Sequence, residues 1–176
     1  MKNFLDISDL SSNELRSIVE QAKDRKSKRK NLNKSEPDDD KPFEGKSMVM
    51  IFEKPSTRTR ISFDIAVKQL GGHSIILNPE GIHYGKGDET LKDTAKVLSE
   101  YADIIMLRTA SHENLREFGK HSSIPIINGL SNKSHPCQIM SDILTFEEAK
   151  GNISGKKVAW LGDGDNNMSN SLIEAA

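Results

Sequence analysis

Apolar positions in this chain form short runs and helical stripes that alternate along most of its length. The first stripe is Leu15, Ile18, Val19 and Ala22, repeating at three- and four-residue intervals, and it predicts a helix. Ser11 stands where an N-cap belongs and Glu14 follows three residues on, the spacing of a capping box. The stripe fades into a charged tail over residues 23–30. Residues 31–46 are rich in Asn, Ser, Pro, Asp and Lys, which predicts a surface loop with partial disorder.

Beyond that loop, short apolar runs at residues 47–52, 74–77, 103–107, 124–127 and 158–161 each read as a buried strand. Helical patterns lie between them. Phe63, Ala66, Val67 and Leu70 mark one face of a helix over residues 57–70, stopped by Gly71-Gly72. Leu91, Ala95, Leu98 and Ala102 mark the next. A short helix is expected over residues 112–120, and one over 136–149 carries Ile139, Ile143 and Phe146. A last helix starts at Asn170. Regular alternation of strand and helix predicts an α/β fold, a parallel sheet flanked by helices. In such sheets ligands bind past the carboxyl ends of the strands. Attention therefore falls on the residues after Phe52, Leu77, Leu107, Ile127 and Leu161.

Charge changes this picture little. With 25 basic and 26 acidic residues the formal net charge is -1, which gives no global attraction for nucleic acid or an anionic membrane. The basic cluster Lys23, Arg25, Lys26, Lys28, Arg29 and Lys30 is interrupted by Asp24 and followed by Asp38, Asp39 and Asp40. It reads as a solvated face. No stretch approaches the roughly 20 apolar residues of a membrane span, and no apolar run follows the first lysine as a signal peptide requires. The single cysteine, Cys137, excludes a disulfide framework. A soluble cytoplasmic protein is expected.

Candidate chemistry gathers at the strand ends. Residues 53–60 read Glu-Lys-Pro-Ser-Thr-Arg-Thr-Arg. Ser56 fits an N-cap, and a helix end surrounded by hydroxyls and arginines suits a phosphate. The same residues also fit an ordinary capped helix with solvent-facing arginines. Arg108 follows an apolar strand and either points into the crevice or marks where the strand meets water. Pro136 suits a first helical position, which puts His135 and Gln138 about one turn apart. Both can hydrogen-bond a carbonyl or amide, or belong to an unremarkable loop and surface. Cys137 reads better as a small packed residue than as a nucleophile, because no activating base lies beside it except His135. Residues 162–167 contain Gly-Asp-Gly but lack the third glycine of a dinucleotide fingerprint. Asn166 and Asn167 could hold a polar ligand or cap the next helix.

Taken in order, Phe52-Glu53-Lys54-Pro55-Ser56-Thr57-Arg58-Thr59-Arg60, Asp93-Thr94-Ala95 with Val97-Leu98, Arg108, His135-Pro136-Cys137-Gln138, and Asn166-Asn167-Met168-Ser169-Asn170-Ser171 resemble the aspartate/ornithine carbamoyltransferase family. The likeness spans nearly the whole chain except residues 31–46. Glu53-Lys54 before the serine motif, Asn128-Gly129-Leu130 before His-Pro-Cys-Gln, and the loop Ile82-His83-Tyr84-Gly85 are similar to the ornithine branch.

The resemblance implies carbamoyl transfer from carbamoyl phosphate to the side-chain amine of L-ornithine, giving citrulline and phosphate in arginine metabolism, with no cofactor, metal or covalent intermediate. It also implies a homotrimer with sites shared between subunits. By the same token Ser56, Thr57, Arg58 and Thr59 cradle the phosphate. Arg108 bridges phosphate and carbonyl oxygen, His135 donates to that oxygen, and Gln138, with Pro136 and Cys137 beside it, holds the carbamoyl amide. His83 reaches the phosphate of a neighbouring subunit and Asn167 contacts ornithine. Family members carry a second domain with an aspartate, a Ser-Met-Gly loop and a His-Cys-Leu-Pro motif, which this sequence lacks. The expectation is therefore a carbamoyl-phosphate domain over residues 1–150, and over 151–176 the first strand and first helix of an amino-acid domain. Alone, such a chain should show no useful turnover.

Overall fold

The computed structural model describes residues 2–78 and 89–176, so the expectation for His83 lies outside the described residues. Four parallel strands form one sheet in the order β2-β1-β3-β4. They are β1 (Ser47–Phe52), β2 (His73–Leu77), β3 (Ile104–Arg108) and β4 (Ile126–Leu130). Helices follow or precede them: α1 (Ser12–Lys28), α2 (Thr57–Gln69), α3 (Leu91–Ser99), α4 (His112–His121), α5 (Pro136–Lys150) and α6 (Asn167–Ala175). This is the α/β architecture that the alternation predicts. Among the described residues no helix is long and apolar enough to cross a membrane.

The central strands are apolar on both sides because both sides are covered. Along β1, Val49 and Ile51 join a cluster with Ala95, Leu115 and Phe118 of α3 and α4. Met48, Met50 and Phe52 alternate onto the other face, against Val67 of α2. Register places Phe52 opposite Arg108, which fixes where the two central strands end. Beyond β4, the N-terminal segment closes the sheet edge: Phe4 N donates to Ile126 O at 2.8 Å and Asn128 N to Phe4 O at 2.9 Å.

β4 ends three residues later than its apolar run suggests. Asn128 and Gly129 lack the side chains of a buried strand, yet Asn128 is fully buried, its amide donating to Leu5 O at 2.8 Å. A Cβ on Gly129 would stand 2.3 Å from Met106 Sδ, so only glycine lets β4 approach β3 at this level.

Two expectations need correction. Residues 31–46 are not loosely held. Arg25 and Arg29 both ion-pair with Asp38, Arg25 also with Asp40, and Asp38 N donates to Gln69 O at 2.7 Å. Part of the basic tail thus faces its own acidic loop and not solvent. Residues 158–161 form no strand, and Leu161 is 93% exposed. A strand needs a neighbour for its backbone groups, and none of the described strands pairs with these residues. The helix after it does form. α6 lays Met168, Leu172 and Ala175 against Ile7, Val19, Ile139 and Met140.

The same layer carries a buried carboxylate. Glu147 of α5 accepts from Lys23 at 2.7 Å and from Arg16 at 2.8 Å, tying α5 to α1. Those bonds, from Lys23 first, hold its carboxyl down at about 2. A depressed carboxyl stabilises the fold above its unfolded value of 4.5 and loses that contribution as pH falls toward about 2. Glu147→Gln should therefore lower the thermal midpoint at pH 7, and the gap from wild type should close between pH 5 and pH 2. Melting curves across that range check it.

Candidate active site

Among the described residues six α-helices offer their N-termini, and four of these are closed by a side chain. Ser11, Thr90, Ser111 and Asn166 each accept a backbone N–H of their own helix. The two left open are α2, whose N-cap Ser56 makes no side-chain cap bond, and α5, whose N-cap is His135. Both open into one cleft of about 520 Å³, lined by Ser56, Arg58, Thr59, Arg108, His135, Cys137 and Gln138 together with Ser62, Phe63, Leu130, Ser141 and Met168. The uncapped N–H groups of α2 make that cleft positive before any side chain is counted, while α5 begins with Pro136 and bonds Gln138 N–H to His135 O.

Side chains add to the charge. Arg108 comes from the end of β3 and donates through Nη1 to Thr59 Oγ1 at 3.0 Å. Its Nε is buried without a partner. Burial, with the nearby Arg58 charge adding, lowers its basicity below the ordinary arginine value. Among the described residues Arg58 makes no ion pair. Glu53, the nearest acid in the motif, is turned away and spent on Thr109 Oγ1 at 2.6 Å and Ala110 N at 2.9 Å. Arg60 also leaves the cleft, lying over the Phe52 ring and donating to Asn78.

His135 faces the two arginines. Its Nδ1 is buried and unpartnered, and burial followed by the Arg108 charge pushes its pKa down to about 4. The ring is therefore neutral at pH 7. Gln138, in the first turn of α5, donates to Asp142 at 2.9 Å. Cys137 directs Sγ at Asn128 O, 3.5 Å away, and burial pushes its thiol up to about 12, which agrees with a packed residue and not a nucleophile.

Of the residues singled out in the sequence, Ser56, Arg58, Thr59, Arg108, His135, Cys137 and Gln138 meet at the cleft. Thr57 and Pro136 sit in the first turns of the two helices without lining it. Asn167 lies farther off, its amide donating to Ser131 O at 2.8 Å. Met168 lines the cleft in its place. Ser171 was not singled out on its own, yet its hydroxyl accepts His135 N–H at 2.8 Å. No spacing rule links residues 36 apart on different helices.

The family model for the "Aspartate/ornithine carbamoyltransferase, carbamoyl-P binding domain" matches residues 2–148. The chain belongs to the aspartate/ornithine carbamoyltransferase family. An ornithine carbamoyltransferase of Brucella ovis is 49% identical over 176 residues, covering 100% of this chain and 54% of that protein. Its counterpart structure from Burkholderia thailandensis superposes with a TM-score of 0.90 at 39% identity, over 99% of this chain and 58% of that one. The catalytic subunit of M. jannaschii aspartate transcarbamoylase matches at TM-score 0.83 and 34% identity, over 99% and 56%. The chain spans about half the length of the curated relatives it matches.

A neutral His135 has a direct test. An imidazole that titrates at 6.5 unfolded but about 4 folded makes the fold lose stability as pH drops through that interval, because the unfolded chain binds the extra proton. In a histidine-labelled sample the His135 ring signals should show their inflection near pH 4. An inflection between pH 6 and 7 would show the ring to be solvated and paired differently.

Proposed function

We propose that this chain is the carbamoyl-phosphate-binding part of an ornithine carbamoyltransferase, with residues 1–150 forming that domain and 151–176 opening an ornithine-binding domain. One observation carries the reading. The two uncapped helix ends and two arginines without carboxylate partners converge on a cleft that also holds a neutral histidine. A dianion with an adjacent carbonyl matches that set: the phosphate takes the α2 N-terminus, Ser56, Thr57, Thr59 and Arg58, and the carbonyl oxygen lies toward Arg108 and His135.

The chemistry follows from the arrangement. The neutral side-chain amine of ornithine attacks the carbonyl carbon, forming a C–N bond. Negative charge grows on the carbonyl oxygen, where Thr59, Arg108 and His135 are preorganised donors. The bond to the phosphate oxygen then breaks, Arg58 and Arg108 hold the departing charge, and the surplus proton on nitrogen leaves with it. Gln138 orients the carbamoyl amide, with Pro136 and Cys137 shaping the helix end below it. Positioning and electrostatics supply the rate. Asn167, close to the turn before His135, is assigned to the amino acid, and His83 to the phosphate of a neighbouring subunit in a homotrimer.

Similarity to an aspartate transcarbamoylase makes aspartate the competing acceptor. Ornithine is preferred because the motif context at Glu53-Lys54 and Asn128-Gly129-Leu130 is that of the ornithine branch. The same residues in a longer chain that includes the acceptor domain should release citrulline with ornithine and no carbamoyl-aspartate with aspartate. The reverse would move the chain to the sister activity. In that longer chain Arg108→Ala should lower kcat by about a hundredfold or more with a melting temperature close to wild type. An unchanged kcat would remove Arg108 from the mechanism.

For the present chain, calorimetric titration should show binding of carbamoyl phosphate that Arg58→Ala weakens at least tenfold, the worth of about one charge-assisted contact.

A further inference from the structure

Residues 131–134 join β4 to His135, and the turn they make closes on itself. Ser131 N donates to Ser134 O at 2.9 Å, Ser134 N to Ser131 Oγ at 3.1 Å, and Ser131 Oγ to Ser134 O at 3.3 Å. Both serines are buried. A hydroxyl has one proton, so once Ser131 gives its proton to Ser134 O, its remaining bonds must be accepted ones.

His112, the first residue of α4, supplies such a bond. Its Nδ1 lies 2.9 Å from Ser131 Oγ. Arg116 Nε donates to His112 Nε2 at 3.0 Å. A guanidinium only donates, so in the tautomer that takes this bond Nε2 accepts and the ring proton sits on Nδ1, aimed at Ser131. Arg116 also ion-pairs with Asp6, whose Oδ2 lies 3.2 Å from His112 Nε2. Burial lowers the His112 pKa below the ordinary imidazole value, with Asp6 opposing and Arg116 and Lys133 adding to it. His112 N–H holds the turn a second time, through Asn132 Oδ1 at 2.8 Å. Asp6 and His112 are 1% and 7% exposed, and neither they nor Arg116 line the cleft.

We propose that His112 is a positioning residue for His135: its Nδ1–H directs the Ser131 hydroxyl onto the Ser134 carbonyl, and so sets where the next residue places its imidazole. The inference rests on the carbamoyl-phosphate reading, which gives His135 the carbonyl end of the ligand. The phosphate end belongs to α2, on a different element. A small shift of the turn therefore moves the carbonyl contact and leaves the phosphate cradle in place, and misplacement by about 1 Å is enough to matter.

Calorimetry with inorganic phosphate and with carbamoyl phosphate separates the two ends. The chain itself should bind carbamoyl phosphate more tightly than phosphate. In His112→Phe that preference should fall by about tenfold, the scale of one lost hydrogen bond, with phosphate affinity within about twofold of wild type and the His135 ring resonances displaced. If His112→Phe does not fold, Ser131→Ala removes one oxygen from the same relay and must show the same selective loss. Full retention of the preference in the folded variant overturns the positioning role. An equal loss for both ligands shows a merely structural residue and overturns it too. A wild-type chain with no preference for carbamoyl phosphate overturns the proposed function itself.

Discussion

A cation held where water is scarce governs this molecule. Arg108 ends β3 directly after Ile105, Met106 and Leu107, each 0% exposed, and pairing with Phe52 pins its level in the sheet. Its guanidinium is partly buried at the cleft and held there by a hydrogen bond to Thr59 Oγ1. Burial and Arg58 both disfavour its charge, and one hydrogen bond to Thr59 is a small return for that desolvation. The fold carries this cost in a cleft where, among the described residues, neither Arg58 nor Arg108 is ion-paired and Asp142, the acid beside His135, is bonded to Gln138. An anion entering there relieves it, so attraction for anions is built into the scaffold and does not depend on a mobile surface charge.

The same electrostatics decides what His135 can be. Partly buried in the cleft and beside Arg108, with only Asp142 opposing, the ring titrates down at about 4, and an imidazolium would be a third cation in one cleft with Arg58 and Arg108. A neutral ring gives one N–H and keeps it through the pH range where an amine acceptor loses its own proton. Donation to a carbonyl oxygen needs no proton transfer, only a fixed direction. Direction comes from the turn before the ring, which is why buried serines and an asparagine occupy positions where a core would otherwise take apolar side chains.

Much of this was legible in the sequence, because it depends on local pattern. The strands with both faces covered read as apolar runs, the Ser11–Glu14 capping box forms as its spacing requires, and the arginine–hydroxyl motif falls at a helix start. What was illegible depends on contacts between distant residues. The run at 158–161 has the composition of a strand, but pairing needs a partner strand and none of the described strands meets it. Residues 31–46 have the composition of a disordered loop, yet Asp38 meets Arg25 and Arg29. β4 runs on through Asn128 because that side chain finds Leu5 O, 123 residues away. His112 looked like any helix-opening residue, since its partners Asp6 and Ser131 come from other parts of the chain.

α6 lies beyond the residues that the family model matches, and it still reaches the cleft. Its apolar side is docked on α1 and α5, while Ser171 takes the His135 N–H and sits 3.1 Å from Ser134 Oγ. The turn carrying His135 is therefore held from two directions, by His112 from below the sheet's end and by α6 from the segment that follows. Among the described residues α2 makes no hydrogen bond to α6, although Met168 lines the cleft beside Ser56 and Phe63. Displacement of α6 acts directly on the turn that carries His135. A ligand could thus be anchored by its phosphate while the alignment of its carbonyl still depends on how the following segment is seated.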